Sequence, residues 1–309
     1  MTAAPTESSS IPAVLAFDIG GTWVKYGVVD ADGRLSDVDQ VSTFGQDGGQ
    51  TLLDRLLDVA LPLVRRHAIA GVAFSTLGVI DRAAGRLVAA SEAIATYQGL
   101  SPKERFESAL GVPVVVENDG NCVALAEGWT GAAAGVRHYL ALTLGTGIGG
   151  GIVIDGHLYR GANGAAGEWG YMRVDGRVWE DHASPRGLAA AADRLRPATR
   201  HDAEAVFAAR DAGDAELGAL VDAWFDLLAT GLANLMVAFN PARVVIGGGI
   251  TARGAPFLDE LRAHLAARLH SDFHHMGDLT LASAGTHAGL LGAARLWFDE
   301  HAPRRAPPR

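Results

Sequence analysis

Four polar side chains, Glu117, Asn118, Asp119 and Asn121, follow the short apolar run 112–116. They stand where a buried strand is expected to give way to a helix. Polar groups in that position cost free energy unless solvent or a ligand meets them. In open α/β sheets, ligands bind at the carboxyl ends of the strands. We therefore predict that Asp119 is a catalytic base, because a carboxylate is already ionised at neutral pH.

Three glycine-rich turns have the composition of a nucleotide-binding cradle. Residues 18–22, D-I-G-G-T, combine a carboxylate that can face a metal ion with two glycines and a threonine hydroxyl for phosphate. Residues 144–151, L-G-T-G-I-G-G-G, carry five glycines, and I-G-G-G-I at 246–250 has no side chain to obstruct a flat base. A plain hairpin turn, a flexible loop and a strand-to-helix turn are the respective alternatives. No G-K-[ST] leads into a helix, so a Walker loop is excluded.

The glycine-rich turns at 18–22 and 144–151 belong to an internal repeat. Residues 15–30 align without a gap with residues 140–155, so Gly20 matches Gly145 at an offset of 125 residues. Each copy is an apolar strand, a Gly/Thr turn, a second apolar strand and a D-G turn. This period is too long for a solenoid and predicts two similar domains facing each other. Two unrelated hairpins with common glycine turns are the alternative.

The surrounding pattern alternates between strands and helices, which predicts α/β layers. Pro62 is expected to kink or split the first helix, and the apolar second part of helix 215–239 predicts burial between layers. The predicted strands are 14–19, 23–30, 38–44, 71–77, 111–117, the hairpin within 138–160, 243–246 and 279–284. The predicted helices are 51–66, 102–110, 120–130, 187–195, 203–210, 215–239, 257–269 and 289–298.

Composition and charge exclude several classes of protein. The 309 residues are 49% hydrophobic and 20% charged, which is typical of a soluble globular chain long enough for two domains. The net charge of -9 argues against nucleic-acid binding. The single cysteine, Cys122, cannot form an internal disulfide and favours a cytoplasmic location. The N-terminal residues lack the features of a signal peptide, and no apolar run approaches the about 18 residues of a membrane span.

Two further carboxylates, Glu168 and Glu180, are candidates for binding a sugar, because carboxylates accept hydrogen bonds from paired hydroxyls. A solvated surface residue is the alternative for each. The histidines show no H-E-x-x-H or other metal-binding spacing, and His274, His275 and His287 are assigned no role.

In this order, the motifs resemble the ROK family of sugar kinases and related repressors, within the actin-like (ribonuclease H-like) ATPase superfamily. The resemblance covers about residues 13–298. It implies a two-lobed α/β fold with duplicated βββαβαβα domains around a central cleft. It is carried by A-F-D-I-G-G-T-W-V-K-Y-G (16–27), V-E-N-D-G-N-C-V-A-L-A-E (116–127), the glycine-rich stretch 144–171 and V-V-I-G-G-G-I (244–250). The expected division is a disordered tail at 1–12, an N-terminal lobe at 13–118 with the closing helix 287–299, a C-terminal lobe at 119–286, and a disordered tail at 301–309.

The resemblance implies an ATP-dependent sugar kinase that acts on a hexose hydroxyl. The first candidate is the 6-hydroxyl of glucose or a glucose-like sugar. Asp119 would be the base, Asn118 and the two glutamates would hold the sugar, and Tyr171 stands at the family's histidine position. The phosphates and Mg²⁺ would be held by Asp18, Gly20, Gly21, Thr22, Lys25, Gly145, Thr146 and Gly147. Gly247 and Gly248 would border the adenosine. A cytoplasmic homodimer is expected, with no nucleic-acid or membrane partner.

The chain departs from many members of this family in one loop. Those members follow E-x-G-H with a C-x-C-G-x-x-G-C zinc loop, whereas here Tyr171 precedes M-R-V-D-G-R-V-W (172–179). No zinc is therefore expected, and the chain is similar to zinc-free members that include β-glucoside kinases. A β-glucoside kinase, a fructokinase, an N-acetylhexosamine kinase and the use of polyphosphate in place of ATP stay open.

Three functions of other classes are disfavoured. A sugar-responsive repressor of this family carries a helix-turn-helix before D-x-G-G-T, but only 17 residues precede that motif here. A sugar-binding pseudokinase would need a broken phosphate loop or a missing base, and both motifs are intact. The sugar-facing carboxylates argue against a filament-forming actin-like ATPase.

Overall fold

A computed structural model describes residues 12–89, 92–273 and 277–301. The predicted tails and the histidines 274 and 275 lie outside these residues, with two exceptions. Pro12 is described just before the first strand, and His301 is the last residue of the final helix rather than part of a tail. The described chain divides into two compact units. Residues up to Cys122 and from Thr286 onwards form the first, and Val123–Gly285 form the second. The predicted boundaries of the two lobes stay a prediction.

The first unit is built on a five-stranded sheet in the order β3–β2–β1–β4–β7. The strand β1 pairs antiparallel with β2 and parallel with β4, and β4 pairs parallel with β7. The elements are β1 (Ala13–Ile19), β2 (Trp23–Asp30), β3 (Leu35–Ser42), α1 (Gly49–Arg66), β4 (Ile69–Thr76), β5 (Val79–Asp81), β6 (Arg86–Ala89), α2 (Pro102–Leu110), β7 (Val114–Asn118) and α3 (Asp119–Trp129). The chain passes from the first unit to the second within α3.

The second unit repeats this sheet in the order β10–β9–β8–β13–β14, with β8 antiparallel to β9 and parallel to β13. Its elements are β8 (Tyr139–Leu144), β9 (Ile148–Ile154), β10 (His157–Tyr159), β11 (Arg173–Val174), β12 (Arg177–Val178), α4 (Trp179–Ala183), α5 (Pro185–Leu195), α6 (Ala203–Asp211), α7 (Ala215–Phe239), β13 (Arg243–Gly247), α8 (Ala255–Ala266) and β14 (Asp278–Leu281). The last helix, α9 (Ala288–His301), belongs to the first unit. The internal repeat is therefore a repeat of whole sheets.

The register of the two hairpins differs by one residue. Asp18 pairs with Lys25 in the first hairpin. At the offset of 125, the partner of Thr143 would be Gly150, but Thr143 pairs with Gly149. The second turn is shorter, because it closes with the Gly145 N–H on the Gly147 oxygen, whereas the first closes from Gly20 to Trp23. The gap-free alignment therefore holds for the first strand of each copy and slips by one residue in the second.

The core of the first unit packs helices α1 and α2 against its sheet. Helix α1 buries Leu52, Leu53, Leu56, Leu57 and Leu63, which confirms the predicted apolar face. Burying a leucine side chain stabilises the fold by about 1.5–3 kcal/mol. The helix continues through Pro62, so the expected split is wrong. The prolyl ring is exposed and removes one hydrogen-bond donor without burying an unpaired group.

Helix α7 is the one described helix long and apolar enough, by length and composition alone, to cross a membrane. Asp222 and Asp226 interrupt its sequence, so it holds no uninterrupted apolar run of that length. Trp224, Phe225 and Leu228 are buried in the core of the second unit. In the second part of the helix, Leu232, Leu235 and Met236 are buried as predicted, but Val237 and Phe239 are exposed, so the predicted burial is wrong for the last turn. A core helix passes the same test, and this packing accounts for the composition.

Other predicted elements need adjustment. Strand β3 begins at Leu35 and ends at Ser42, before the predicted end at residue 44, because Phe44 has a left-handed backbone with φ 44°. The short helix α4 and the hairpin β11–β12 were not predicted. The hairpin turns at Asp175 and Gly176, whose φ values are 50° and 74°. Two positive φ values are required by the tight turn that suits a two-residue hairpin, and D-G is a favoured sequence for it.

Candidate functional site

Polar side chains line the carboxyl ends of the three parallel strands of the first unit. In the sheet register, Asp18 of β1 lies beside Ser75 of β4, and Ser75 lies beside Glu117 of β7. One position further, Thr76 lies beside Asn118. Since these strands run parallel, their polar ends meet at one edge of the sheet, as expected for the ligand-binding edge of an α/β sheet.

Asp18 is held between β4 and the start of α9. The Ser75 hydroxyl donates to Asp18 Oδ1 at 2.7 Å. A Cβ atom on Gly289, in the first turn of α9, would lie 2.3 Å from Asp18 Oδ1, so only glycine lets the helix approach the carboxylate this closely. Burial raises the pKa of the Asp18 carboxyl, while the hydrogen bond from Ser75 and the charges of Lys25 and His287 oppose the rise. A nearby cation would relieve the cost of holding this carboxylate ionised.

Lys25 is fixed within the same unit. Its ammonium group donates to the carbonyl oxygen of Thr286 at 2.8 Å, just before α9 begins. The neighbouring turn is also fixed, because the Thr43 hydroxyl donates to the Gly20 oxygen at 2.7 Å and the Thr43 N–H donates to the Thr22 oxygen at 2.9 Å. The side chain of Thr22 is exposed, as is Gly21. The predicted phosphate-binding turn therefore has a fixed backbone and an open outer surface.

Asp119 stands at the start of α3, directly after β7. Its Oδ1 accepts the N–H of Gly120 at 2.9 Å. The preceding residue is fixed on both sides, since the Asn118 amide donates to the Gly78 oxygen at 3.0 Å and its Oδ1 accepts the Asn121 N–H at 3.1 Å. These contacts hold the strand-to-helix junction in place, so Asp119 is presented at the sheet edge.

Glu117 supports the junction from below. It is buried, and its Oε1 accepts the N–H of Asn118 and the side-chain amide of Asn121, both at 2.9 Å. Of the four polar residues predicted together, Glu117 and Asn121 are thus structural, and Asn118 and Asp119 are only partly buried. Cys122, in the next turn, is fully buried, and burial raises the pKa of its thiol well above its usual range. It is a neutral core residue.

In the second unit, Glu168, Tyr171 and Glu180 come together around the turn between β8 and β9. Burial raises the pKa of the Glu168 carboxyl, and the negative charge of Glu180 raises it further. Burial also raises the pKa of the Tyr171 hydroxyl, followed by the charges of Glu180 and Glu168. The ring of Tyr171 is 68% exposed, which leaves it accessible to a ligand.

Glu180 connects this carboxylate pair to the predicted phosphate turn. Its Oε2 accepts the N–H of Ile148 at 3.2 Å. A Cβ on Gly147 would lie 2.4 Å from the same oxygen, and a Cβ on Gly170 would lie 2.5 Å from it. One oxygen of Glu180 is therefore already hydrogen-bonded to the backbone at the turn, so Glu180 is not a fully free carboxylate. Gly145 and Thr146, on the outer part of the turn, are exposed.

The third glycine turn follows β13. Gly248 has φ 106°, and a Cβ there would lie 1.9 Å from the carbonyl oxygen of Leu144. The turn therefore depends on glycine for its backbone conformation and for its close approach to the end of β8. Gly247 is buried at the end of β13, with the exposed Gly248 directly after it.

Sequence reasoning missed Ser75, Thr76, Gly78 and Gly289. The two hydroxyl residues end a buried strand, which is the signal that singled out Asp119, so the same rule applied to β4 would have found them. His287, to which no role was assigned, lies close enough to Asp18 for its charge to lower the pKa of that carboxyl. No local pattern identifies Gly289, because its importance comes from a contact with a distant strand.

Comparison with known proteins gives consistent matches along most of the chain. The ROK family profile matches residues 14–300. A Klebsiella pneumoniae protein named beta-glucoside kinase is 39% identical over 291 residues, which cover 91% of this chain and 94% of that protein. The crystal structure of a ROK hexokinase from Thermus thermophilus is similar with a TM-score of 0.82 and 32% identity, covering 93% of this chain and 99% of the other.

The chain is a member of the ROK family. A ROK family glucokinase from Streptomyces griseus, solved in complex with glucose and AMPPNP, is also similar, with a TM-score of 0.78, 29% identity, and 92% of this chain and 98% of the other covered. The predicted ROK membership and the predicted α/β fold with duplicated sheets are confirmed.

Proposed function

We propose that this ROK family member is an ATP-dependent sugar kinase that transfers the γ-phosphoryl group to a hydroxyl of a hexose. The observation that carries the proposal is the row Asp18–Ser75–Glu117 and the adjacent Asp119 at the carboxyl ends of the parallel strands. The similarity to a beta-glucoside kinase and to a glucokinase solved with glucose and AMPPNP supports this chemistry.

The proposed roles follow from the side chains that each unit presents. Asp119 accepts the proton of the attacking hydroxyl, and Asn118 binds the sugar beside it. A positioned base contributes about 10²–10⁴-fold to such a step. Glu168 and Glu180 accept hydrogen bonds from sugar hydroxyls, Glu180 through the oxygen opposite the one held by Ile148. We propose that Tyr171, exposed beside both carboxylates, contacts the sugar as well.

The phosphates of ATP are proposed to bind the backbone of the two repeated turns. Gly20, Gly21 and Thr22 form one turn, and Gly145, Thr146 and Gly147 form the other, with Lys25 contributing a positive charge. Phosphoryl transfer depends mainly on such positioning and on stabilising negative charge on the transferred group. Gly247 and Gly248 are proposed to border the adenosine, where the absence of side chains leaves room for the base.

The residues present fit a magnesium ion that accompanies ATP. Asp18 offers a hard carboxylate ligand. Its raised pKa indicates that the neighbouring hydrogen bond and charges do not fully offset the cost of burying its negative charge. When bound, Mg²⁺ neutralises charge on the phosphate oxygens. No zinc is proposed, because residues 171–179 contain neither the histidine nor the cysteines of a zinc loop. A homodimer and a cytoplasmic location stay predictions.

Glucose or a glucose-like sugar is the proposed acceptor, and β-glucosides are a second candidate because the beta-glucoside kinase is 39% identical. A coupled assay of ADP release tests this with ATP and glucose, fructose, mannose, N-acetyl sugars and cellobiose, and an assay of sugar-phosphate formation tests the same sugars with polyphosphate in place of ATP. We expect sugar-dependent ADP release that requires Mg²⁺. No turnover on any sugar with either donor would contradict the proposed function.

A further inference from the structure

A basic cavity lies in the second unit, and its lining includes none of the residues proposed for catalysis or sugar binding, although it lies next to Glu180 in the chain. It has a volume of about 440 Å³, which lies within the usual range for small-molecule sites. The hairpin β11–β12, helix α4 and helix α5 supply its walls. The lining residues are Arg173, Gly176, Arg177, Val178, Asp181, His182 and Arg194.

Three arginines make this cavity positive in a chain whose net charge is -9. Arg173 is held by a hydrogen bond from its guanidinium to the Gly176 oxygen at 3.1 Å. Arg177 and Arg194 are exposed, and neither forms an ion pair with a carboxylate in the described parts of the chain. The carboxylate in the lining, Asp181, already has a partner in Arg186 at 3.5 Å.

His182 adds a nearly buried ring to the lining. Its side chain is 9% exposed, and neither ring nitrogen has a hydrogen-bond partner of normal geometry among the described residues. Burial lowers the pKa of the ring, and the charge of Arg177 lowers it further, while hydrogen bonding to the backbone of Val178 and Val174 acts in the opposite direction. Neither backbone contact reaches normal hydrogen-bond geometry, so the ring is weakly satisfied for a buried polar group. The lining position of His182 makes a ligand in the cavity a suitable partner.

The charge and composition of the lining select the ligand chemistry. A phosphomonoester carries about 1.5–2 negative charges at neutral pH, which suits several guanidinium groups better than a single carboxylate does. The lining contains no Phe, Tyr or Trp on which a nucleotide base would stack. Asp181 instead offers an acceptor for hydroxyl groups.

We propose that this cavity binds a phosphate-bearing small molecule of the size of a phosphorylated monosaccharide, with Arg177, Arg194 and His182 around the phosphate. Four of the seven lining residues lie within residues 172–179, the segment that distinguishes this chain from relatives with a zinc loop. The proposal concerns binding alone and does not depend on the kinase function.

The test compares binding of inorganic phosphate, glucose 6-phosphate and uncharged glucose by calorimetry in phosphate-free buffer. The variant is the double substitution Arg177→Gln and Arg194→Gln, both at exposed positions where folding is expected to persist. Arg137→Gln is the matched control, because Arg137 is exposed in the same unit and does not line the cavity. Charge-assisted hydrogen bonds are each worth about tenfold in affinity.

We expect the wild type and the control to bind one phosphate-bearing ligand that the double variant binds at least tenfold more weakly. Tighter binding of glucose 6-phosphate than of phosphate, lost in the double variant, would show that the rest of the cavity holds the sugar, because product binding at the proposed kinase site would persist in that variant. Equal binding of the two would identify a site for free phosphate, and both results support the phosphate chemistry. Equal affinities and stoichiometries in the double variant and the control would overturn the proposal, whatever the kinase assay shows.

Discussion

Replacing Gly289 by alanine tests whether Asp18 serves the nucleotide. The added Cβ would lie 2.3 Å from both Cγ and Oδ1 of Asp18 and 2.6 Å from Oδ2. Asp18 is held on β1 between two paired strands, so its carboxylate must rotate or the first turn of α9 must shift. Either movement disturbs the 2.7 Å hydrogen bond from Ser75.

The expected size of the effect combines two opposing terms. Alanine in a helix favours folding by at most about 1 kcal/mol relative to glycine. Loss of a hydrogen bond to a charged group costs about 1.5–3 kcal/mol. We therefore expect Gly289→Ala to lower the free energy of unfolding by about 0.5–2 kcal/mol. Because the displaced carboxylate no longer stabilises the bound nucleotide and metal, kcat/KM for MgATP should fall about 100-fold.

The assay measures steady-state kinetics against MgATP and sugar separately, together with thermal unfolding. Gly218→Ala in α7 is the matched control, because the nearest atom to its Cβ would be Arg210 Cγ at 3.6 Å, an ordinary contact. That variant should keep wild-type kinetics. Asp18→Asn removes the charge without the collision and should reproduce the loss against MgATP. A Gly289→Ala enzyme with wild-type kcat/KM for MgATP would refute the role of Asp18.

Two other substitutions test the turns and the carboxylate pair. Gly248→Ala should destabilise the protein by about 3 kcal/mol, because φ 106° is costly for alanine and the Cβ meets the Leu144 oxygen, whereas Gly249→Ala has open space and should be near neutral in thermal unfolding. The melting temperature of Glu168→Gln should exceed that of the wild type, and this difference should grow as pH rises. Since the folded-state pKa of Glu168 is raised above 4.5, ionisation costs stability as pH increases through that pKa, and the difference should vanish in acid. A constant difference between pH 4 and pH 8 would contradict this explanation.

The duplicated fold and the polar residues at the strand ends were predictable, because each depends on a local sequence pattern. The repeat of apolar strands and glycine turns between residues 15–30 and 140–155 predicts duplicated domains, and the structure repeats the whole sheet order. The position of Asp119 directly after a buried strand was predictable from the sequence, and its role as a base stays a prediction, based on the cost of polar residues at a strand end without a ligand. Applied to β4, the same physical rule identifies Ser75, which holds Asp18.

Other features depend on contacts that no local pattern contains. The one-residue slip between the hairpins comes from the shorter turn at Gly145–Gly147, which a gap-free alignment hides. The contact of Gly289 with Asp18 brings together residues that are far apart in the sequence. The hydrogen bond from the Ile148 N–H to Glu180 connects the turn between β8 and β9 to a helix of five residues. Such a helix is too short for its periodicity to be recognised in the sequence.

The central claim is that this chain phosphorylates a sugar with Asp119 as the base, and Asp119→Asn tests it most directly. The substitution keeps the size of the side chain and its bond to the Gly120 N–H. We expect unchanged thermal unfolding, retained sugar binding by calorimetry, and a fall in kcat of about 10²–10⁴-fold on the best sugar. A variant that folds, binds sugar and turns over at nearly the wild-type rate would contradict the claim.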